Sequence, residues 1–309
     1  MENTSNTGVQ LLEVSSHSDE QRLDNFLLSR LKGLPKSHLY RLIRKGEIRV
    51  NKKRCKPDQR LVTGDIVRVA PLRLARPEAP LPPGDGLIQR LQASVLYEDD
   101  ELMVLNKPAG LAVHGGSGVP AGLIEALRFM AGEGGYRELV HRLDKETSGC
   151  LLVAKTGKAL KQLQAALKAG DFTKRYLALV HGQWPDTLTR IDAPLLKLHP
   201  HDGESYSRVD PQGKTASTLF RVRSRLPQAT LIEATLITGR THQIRVHAQY
   251  AGHPIVGDSR YTWDHDHAFK TVRSLCLHAE MLQFHHPETG QSVTVSAELP
   301  DNISSLLAK

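Results

Sequence analysis

Residues 71–86 hold five prolines and two glycines in sixteen positions. No helix or sheet interior accommodates that density of fixed φ angles and missing N–H donors. The chain therefore divides there, into a small segment at 20–70, a semi-extended linker at 71–86, and a larger segment at 87–309. The larger piece is long enough to bury an enzyme-sized core of its own.

The two pieces differ in charge. Between residues 21 and 60, thirteen Lys or Arg stand against three acids, a balance of +10, while the whole chain carries +8, so the remainder is slightly acidic. A compact basic unit on a near-neutral body suits a polyanion-binding module. A solvated charged face is the alternative on charge alone. Leu23, Phe26, Leu27 and Leu31 fall at helical spacing, with Asp24 near the favourable positive end and Gly33 able to close the helix. Ser37 is expected to cap a second helix carrying Leu39, Leu42 and Ile43 and ending at Gly46. Ile48 and Val50 alternate as in a short strand, Asn51-Lys52-Lys53 reads as a turn, and 66–69 as another strand. Arg49 is left over with Arg41, Arg44, Lys45, Lys52, Lys53 and Arg54, which makes this a small basic domain, and the latter six are candidate polyanion-binding side chains.

Several classes are disfavoured by composition. No apolar run approaches the roughly 18 residues of a membrane span, and residues 1–10 are polar, without a secretory signal. Cys55, Cys150 and Cys276 are few, odd in number and far apart, as expected of reduced thiols in a cytoplasmic protein. The phosphate-cradle pattern GxxxxGK[ST] is absent, and the glycine-rich Gly115-Gly116-Ser117-Gly118 lacks its lysine. The histidine clusters His199-Pro200-His201, His265-Asp266-His267 and His285-His286 lack zinc-site spacing. The expectation is therefore no cofactor and no metal.

In the larger piece, strands are expected over 102–106, 150–154, 176–180 and 231–238. A helix between the second and third is capped by Thr156, lined by Leu160, Leu163 and Leu167, and closed by Gly170. Without a regular βαβ rhythm, the fold class is α+β, with a mixed, largely antiparallel sheet flanked by helices. Polar residues crowd at His141-Arg142-Leu143-Asp144-Lys145-Glu146-Thr147-Ser148-Gly149, where an apolar strand begins. A strand-edge loop is a common place for a catalytic group. Taken alone, the segment also reads as a turn in which Asp144 and Thr147 bond local backbone.

Residues 21–70, through Arg22-Leu23-Asp24, the helix end 39–46 and Val50-Asn51, resemble the RNA-binding domain shared with ribosomal protein S-four. The nonapeptide 141–149 resembles the signature loop of the RluA-type family of pseudouridine synthases. Asn106-Lys107-Pro108 with Val113-His114, the stretch 174–180, the stretch 239–247 and Leu277-His278-Ala279 fit the same family in the same order. The two-domain plan and the stretch 112–118 are most similar to the branch acting on large-subunit ribosomal RNA.

The resemblance implies an isomerase that converts chosen uridines to pseudouridine, with Asp144 as nucleophile, Arg245 as its guanidinium partner and Tyr176 against the target base. Arg142 would contact the RNA where the base leaves the stack. His141, Arg240, His242, His247 and Leu277 would support the site. The implied partner is large-subunit ribosomal RNA, with no membrane, for a chain acting as a monomer.

The chemistry agrees with these roles. The isomerisation gains no atoms or electrons, so one ionised carboxylate acting on the ribose suffices. A dry site would neutralise that carboxylate unless a cation opposed the effect. Thr241 is expected to cap a helix with Arg245 in its first turns, where a cation is mildly disfavoured and a carboxylate partner would help. Tyr176 shares a strand face with Ala178 and Val180 and would also serve as core. A non-catalytic RNA-binding or ribosome-assembly factor is the alternative, opposed by the intact Asp144, Tyr176 and Arg245 set.

Overall fold

The computed structural model describes residues 8–15, 18–31, 34–72, 83–115, 122–132, 135–200, 205–262 and 269–308. Gly33, most of the expected linker, Gly116 to Gly118, His201 and the 265–267 histidine cluster lie outside the described residues. The chain forms two compact units, residues 1–81 and 82–309.

In the first unit β1 (Gln10–Glu13), α1 (Leu23–Arg30), α2 (Lys36–Lys45), β2 (Ile48–Val50), β3 (Lys53–Arg54) and β4 (Ile66–Val69) build a four-stranded antiparallel sheet in the order β1-β4-β2-β3. Its core joins Leu23, Phe26 and Leu27 of α1 to Leu39, Leu42 and Ile43 of α2 and to Ile48, Val50, Val67 and Val69 of the sheet. The expected cap at Ser37 is corrected: α2 already begins at Lys36, with Pro35 at the N-cap and no side-chain cap. Pro35, at φ −60°, sets the entry, and its carbonyl accepts from Leu39 N–H at 3.0 Å. Gly46 closes the helix at φ 75°. Asn51 and Lys52, at φ 47° and 67°, make a tight hairpin turn, and Lys53 begins β3. Arg41, Arg44, Lys45, Arg49, Lys52, Lys53 and Arg54 are all exposed. Asp24 is buried, ion-paired to Arg22 at 2.8 Å and bonded by Tyr40 Oη at 2.9 Å. These bonds, the Arg22 one first, hold its carboxyl down at about 2.

The second unit comprises α3 (Asp85–Ala93), β5 (Val95–Glu98), β6 (Leu102–Lys107), α4 (Leu123–Ala131), β7 (Glu138–Leu139), β8 (Ser148–Ala154), α5 (Gly157–Ala169), β9 (Thr173–His181) and β10 (Arg190–Asp192). It continues through β11 (Leu195–Leu198), β12 (Tyr206–Val209), β13 (Ser217–Leu226), β14 (Ala229–Leu236), α6 (Gln243–Tyr250), β15 (Leu277–His285), β16 (Ser292–Ser296) and α7 (Asp301–Leu307). Asp85 and Gly86, at the end of the expected linker, form the first turn of α3.

A ten-stranded sheet runs β10-β13-β14-β9-β15-β8-β6-β5, with β16 on β15 and β7 on β8; β15 and β8 pair in parallel, and the other pairs are antiparallel. Every residue of β8 is buried. Leu151 and Val153 face the main core, whereas Cys150, Leu152 and Ala154 face Ala159 and Leu163 of α5. That two-sided burial is why β8 reads as a continuous apolar run. Helix α5 is fixed as its sequence suggests: Thr156 Oγ1 accepts from Ala159 N–H at 3.1 Å, and Gly170 closes it at φ 92°. The three cysteines are free.

Candidate active site

The three central strands β9, β15 and β8 converge on one cavity of about 450 Å³. The loop before β8 brings His141, Arg142 and Asp144, β9 brings Lys174 and Tyr176, β15 brings Leu277, and the start of α6 brings Arg240, His242 and Arg245. Among the described residues, Asp144 is the one carboxylate lining it.

Backbone anchors on both sides hold Asp144 in place. Leu143 is buried in the core. Thr147 N–H donates to the main-chain oxygen of Asp144 at 3.1 Å, so the local turn uses backbone and leaves the carboxylate free for the cavity. Lys107 is fully buried, and its ammonium donates to Pro108 O, Leu111 O and Lys145 O, each at 2.9 Å. One lysine thereby ties the end of β6 to the residue after Asp144. Burial lowers this ammonium to about 7, opposed by the charges of Glu146 and Asp144. At the loop's end Gly149 adopts φ +107°, and an added Cβ there would stand 2.2 Å from Ala279 O. Only glycine permits the close parallel contact of β8 with β15. Ser148 Oγ bonds His278 Nδ1 at 2.8 Å, and the other ring nitrogen meets Ala297 O at 3.2 Å.

Arg245 sits in the first turn of α6, as expected, but the helix begins differently. Thr241 does not cap it. His242 occupies the N-cap in the left-handed region at φ 56°. The buried Gln243 anchors the turn instead, accepting from Arg240 N–H at 3.0 Å and donating to Ser217 O at 2.9 Å. Arg245 is shared between two acids. Its fork is bidentate to Asp258, Nε to Oδ2 at 2.7 Å and Nη2 to Oδ1 at 2.8 Å. Nη1 faces Asp144 Oδ2 at 3.7 Å, an ion pair beyond hydrogen-bond length. Burial works against the guanidinium charge, but the bonds and charge of Asp258, with Asp144 adding to them, raise its pKa.

Asp258 and Tyr261 are functional candidates that sequence reasoning missed. The Asp258 side chain is fully buried and also accepts from Arg260 N–H at 2.9 Å and Tyr261 N–H at 3.0 Å. The Tyr261 ring lies under the Arg245 guanidinium at 5.0 Å, and its hydroxyl meets His242 Nδ1 at 3.0 Å. His242 Nε2 then stands 3.7 Å from Asp144 Oδ2. Burial lowers the His242 pKa, so its ring is neutral near neutrality and serves as a dipole beside the carboxylate.

Tyr176 packs in the main core and also lines the cavity. Burial, then the charge of Asp144, raises its phenol well above the ordinary value, and it stays protonated. His141 Nε2 accepts from Leu152 N–H at 3.1 Å, and burial pulls its pKa down to about 4. His247 lies away from the cavity, pinning α6 through Thr218 Oγ1 at 2.9 Å and Ala193 O at 3.0 Å. Arg41, Arg44, Lys45, Lys52, Lys53 and Arg54 belong to the first unit and are not part of this site.

Residues 101–250 match the family model described as RNA pseudouridylate synthase, and residues 21–67 match the S4 domain. The ribosomal large subunit pseudouridine synthase C of Haemophilus ducreyi is 48% identical, covering 100% of this chain and 98% of the relative. Its namesake from Escherichia coli K12 is 46% identical over 99% of this chain and 98% of the relative. Among solved structures, human RNA pseudouridylate synthase domain containing 4 superposes with a TM-score of 0.58 at 26% identity, covering 72% of this chain and 95% of that one. With close to half of its residues shared over nearly its full length, and a carboxylate loop set on the central strands of the matching fold, the chain belongs to the RNA pseudouridylate synthase family and carries an S4 domain ahead of the synthase domain.

Proposed function

We propose that this protein isomerises specific uridines of large-subunit (23S) ribosomal RNA to pseudouridine in the cytoplasm, acting as a monomer of the C type, with Asp144 as its nucleophile. The carrying observation is the lone cavity carboxylate held near, but not against, a fixed guanidinium.

The cavity volume is of the size that encloses a small ligand, and a uridine stacked in RNA reaches the Asp144 and Tyr176 that line it by leaving the stack. Eversion costs a few kcal/mol. Arg142, exposed beside the nucleophile, meets the strand where the base departs. Asp144 then acts on the ribose, either attacking it or removing a proton from it, and the bond from ribose to uracil N1 breaks. The uracil turns, C5 bonds to the ribose, the proton on C5 leaves and N1 gains one. Atoms and electrons balance within the one nucleotide.

Arg245 supplies positive charge without donating a short hydrogen bond to Asp144. Its fork is committed to Asp258, so the nucleophile's lone pairs stay available. Tyr176, protonated at the cavity wall, gives the base a ring to lie against and a hydroxyl near C5. The S4 domain adds affinity through its exposed cations, by phosphate and shape contacts.

Release of tritium from ribosomal RNA labelled at uracil C5, followed by mapping of pseudouridine in ribosomal RNA from a strain lacking the protein, tests the reading. Release by the pure protein and loss of particular large-subunit sites in the strain are expected. RNA binding without release would favour an assembly factor instead.

A further inference from the structure

The charge of the cavity exceeds what a nucleoside needs. Arg142, Lys168, Lys174, Arg240 and Arg245 line it, against Asp144. Arg245 is held by Asp258. For the other four, no carboxylate lies within ion-pair distance among the described residues; Arg240 gives only its Nε to Thr215 O, at 3.0 Å. Uracil and ribose are neutral and call for none of these cations, whereas each phosphodiester beside an everted nucleotide carries one negative charge.

We propose that Lys174, flanked by Lys168 and Arg240, forms a phosphate subsite that takes the phosphodiester next to the everted uridine. The inference rests on the reading that this cavity receives a nucleotide of RNA.

Lys174 and Tyr176 are two residues apart on β9 and share a sheet face, so the ammonium shares the wall that carries the phenol. Its neighbour Arg175 makes the contrast: on the opposite face, Arg175 finds Glu280 at 2.7 Å and Glu233 at 3.9 Å. The fold thus supplies counterions to the cation facing away from the cavity and none to the one facing it. The Lys174 ammonium lies close to Gly239, where an added Cβ would be 3.6 Å from Nζ. It shares the cavity with His141 of the Asp144 loop and with Gly239 ahead of α6. Arg240 is the next residue in that turn, and Lys168 stands exposed in the last turn of α5 on the same cavity. Desolvation lowers the Lys174 pKa. A half-buried ammonium without an anion is costly, and a bound phosphate would restore the missing counter-charge.

The test uses the full chain and a ribosomal RNA stem–loop carrying a uridine mapped as a target. A neutral methylphosphonate replaces the phosphodiester on the 5′ or the 3′ side of that uridine. For the unaltered protein, one of the two neutral linkages should weaken binding and kcat/KM roughly ten- to a hundredfold, the loss of one charge-assisted hydrogen bond. Lys174→Gln should lose a similar factor on ordinary RNA, with a salt slope lower by about 0.7, and lose nothing further on that methylphosphonate RNA. Lys174→Arg should recover most of the affinity. Indifference of the unaltered protein to both neutral linkages overturns the subsite, as does an equal loss by Lys174→Gln on neutral and charged RNA. If Lys174→Gln does not fold, the methylphosphonate series with the unaltered protein decides alone. Failure of the unaltered protein to release tritium from ordinary RNA would instead defeat the functional reading itself.

Discussion

Replacing Asp258 by Asn probes how Arg245 is held. The carboxylate accepts four hydrogen bonds, two from Arg245 at 2.7 and 2.8 Å and two from backbone N–H groups at 2.9 and 3.0 Å, with its side chain fully buried. An amide keeps the shape but offers one oxygen, and turns an NH2 towards groups that are themselves donors. Breaking one partner of a buried pair costs about 3–5 kcal/mol, and that range is expected for Asp258→Asn by urea denaturation. Catalysis should suffer as well. Across 3.7 Å, the attraction between Arg245 and Asp144 is about 4 kcal/mol at an effective dielectric of 20. With Asp258 neutral, the guanidinium is drawn onto Asp144 and ties up its carboxylate. If a third of that attraction must be undone to reach the transition state, kcat falls about tenfold. Tritium release under saturating RNA measures it. Adding Arg245→Gln to Asp258→Asn should restore part of the stability, because no buried charge is then left unpaired, while activity stays low. A variant Asp258→Asn within about 0.5 kcal/mol of the parent, with unchanged turnover, would refute this account of the arginine.

Three further outcomes are expected. Lys107→Met should lower stability, since each buried carbonyl left without its donor costs about 1–3 kcal/mol, offset in part by removal of a desolvated ammonium; a more stable variant with full activity would contradict the anchoring of the Asp144 loop. Arg41→Gln with Arg44→Gln should weaken RNA binding and lower its salt slope by about 0.7 for each phosphate no longer neutralised, measured by filter binding across salt; an unchanged slope would remove the S4 face from the interaction. Acid should destabilise the synthase domain in a defined window. Burial holds the folded pKa of His141 down at about 4, against an ordinary 6.5, and also lowers those of His242, His247 and His278. The unfolded chain therefore takes up protons first, and stability present above pH 6.5 is lost as pH falls towards 4. Urea midpoints that stay flat over that range would contradict it.

Elements governed by local chemistry were legible in the sequence. The Thr156 cap and the Gly170 stop are set by neighbours within a few positions, and the structure has them where the pattern puts them. Helix starts were less so. Ser37 and Thr241 look like caps, yet α2 enters from Pro35, and α6 is anchored by Gln243 reaching back to β13. The need of Arg245 for a carboxylate was visible from its place in a first helical turn. The family resemblance named Asp144, a hundred and one positions back, which faces one edge, but Asp258, thirteen positions on, takes the fork and was not visible. Nothing in sequence spacing ranks those two separations, because the ranking comes from Asp258 and Tyr261 packing against α6. Lys107 was visible as part of a motif, but its three carbonyl partners exist only once β6 lies beside the Asp144 loop.

The central claim concerns a single oxygen atom of Asp144, and the Asp144→Asn protein addresses it most directly. Tritium release from C5-labelled ribosomal RNA is measured beside the dissociation constant for the same RNA. The account predicts release below detection with binding within a few-fold of the parent, since the exposed basic face is untouched. Normal release by Asp144→Asn would show that the chemistry starts elsewhere.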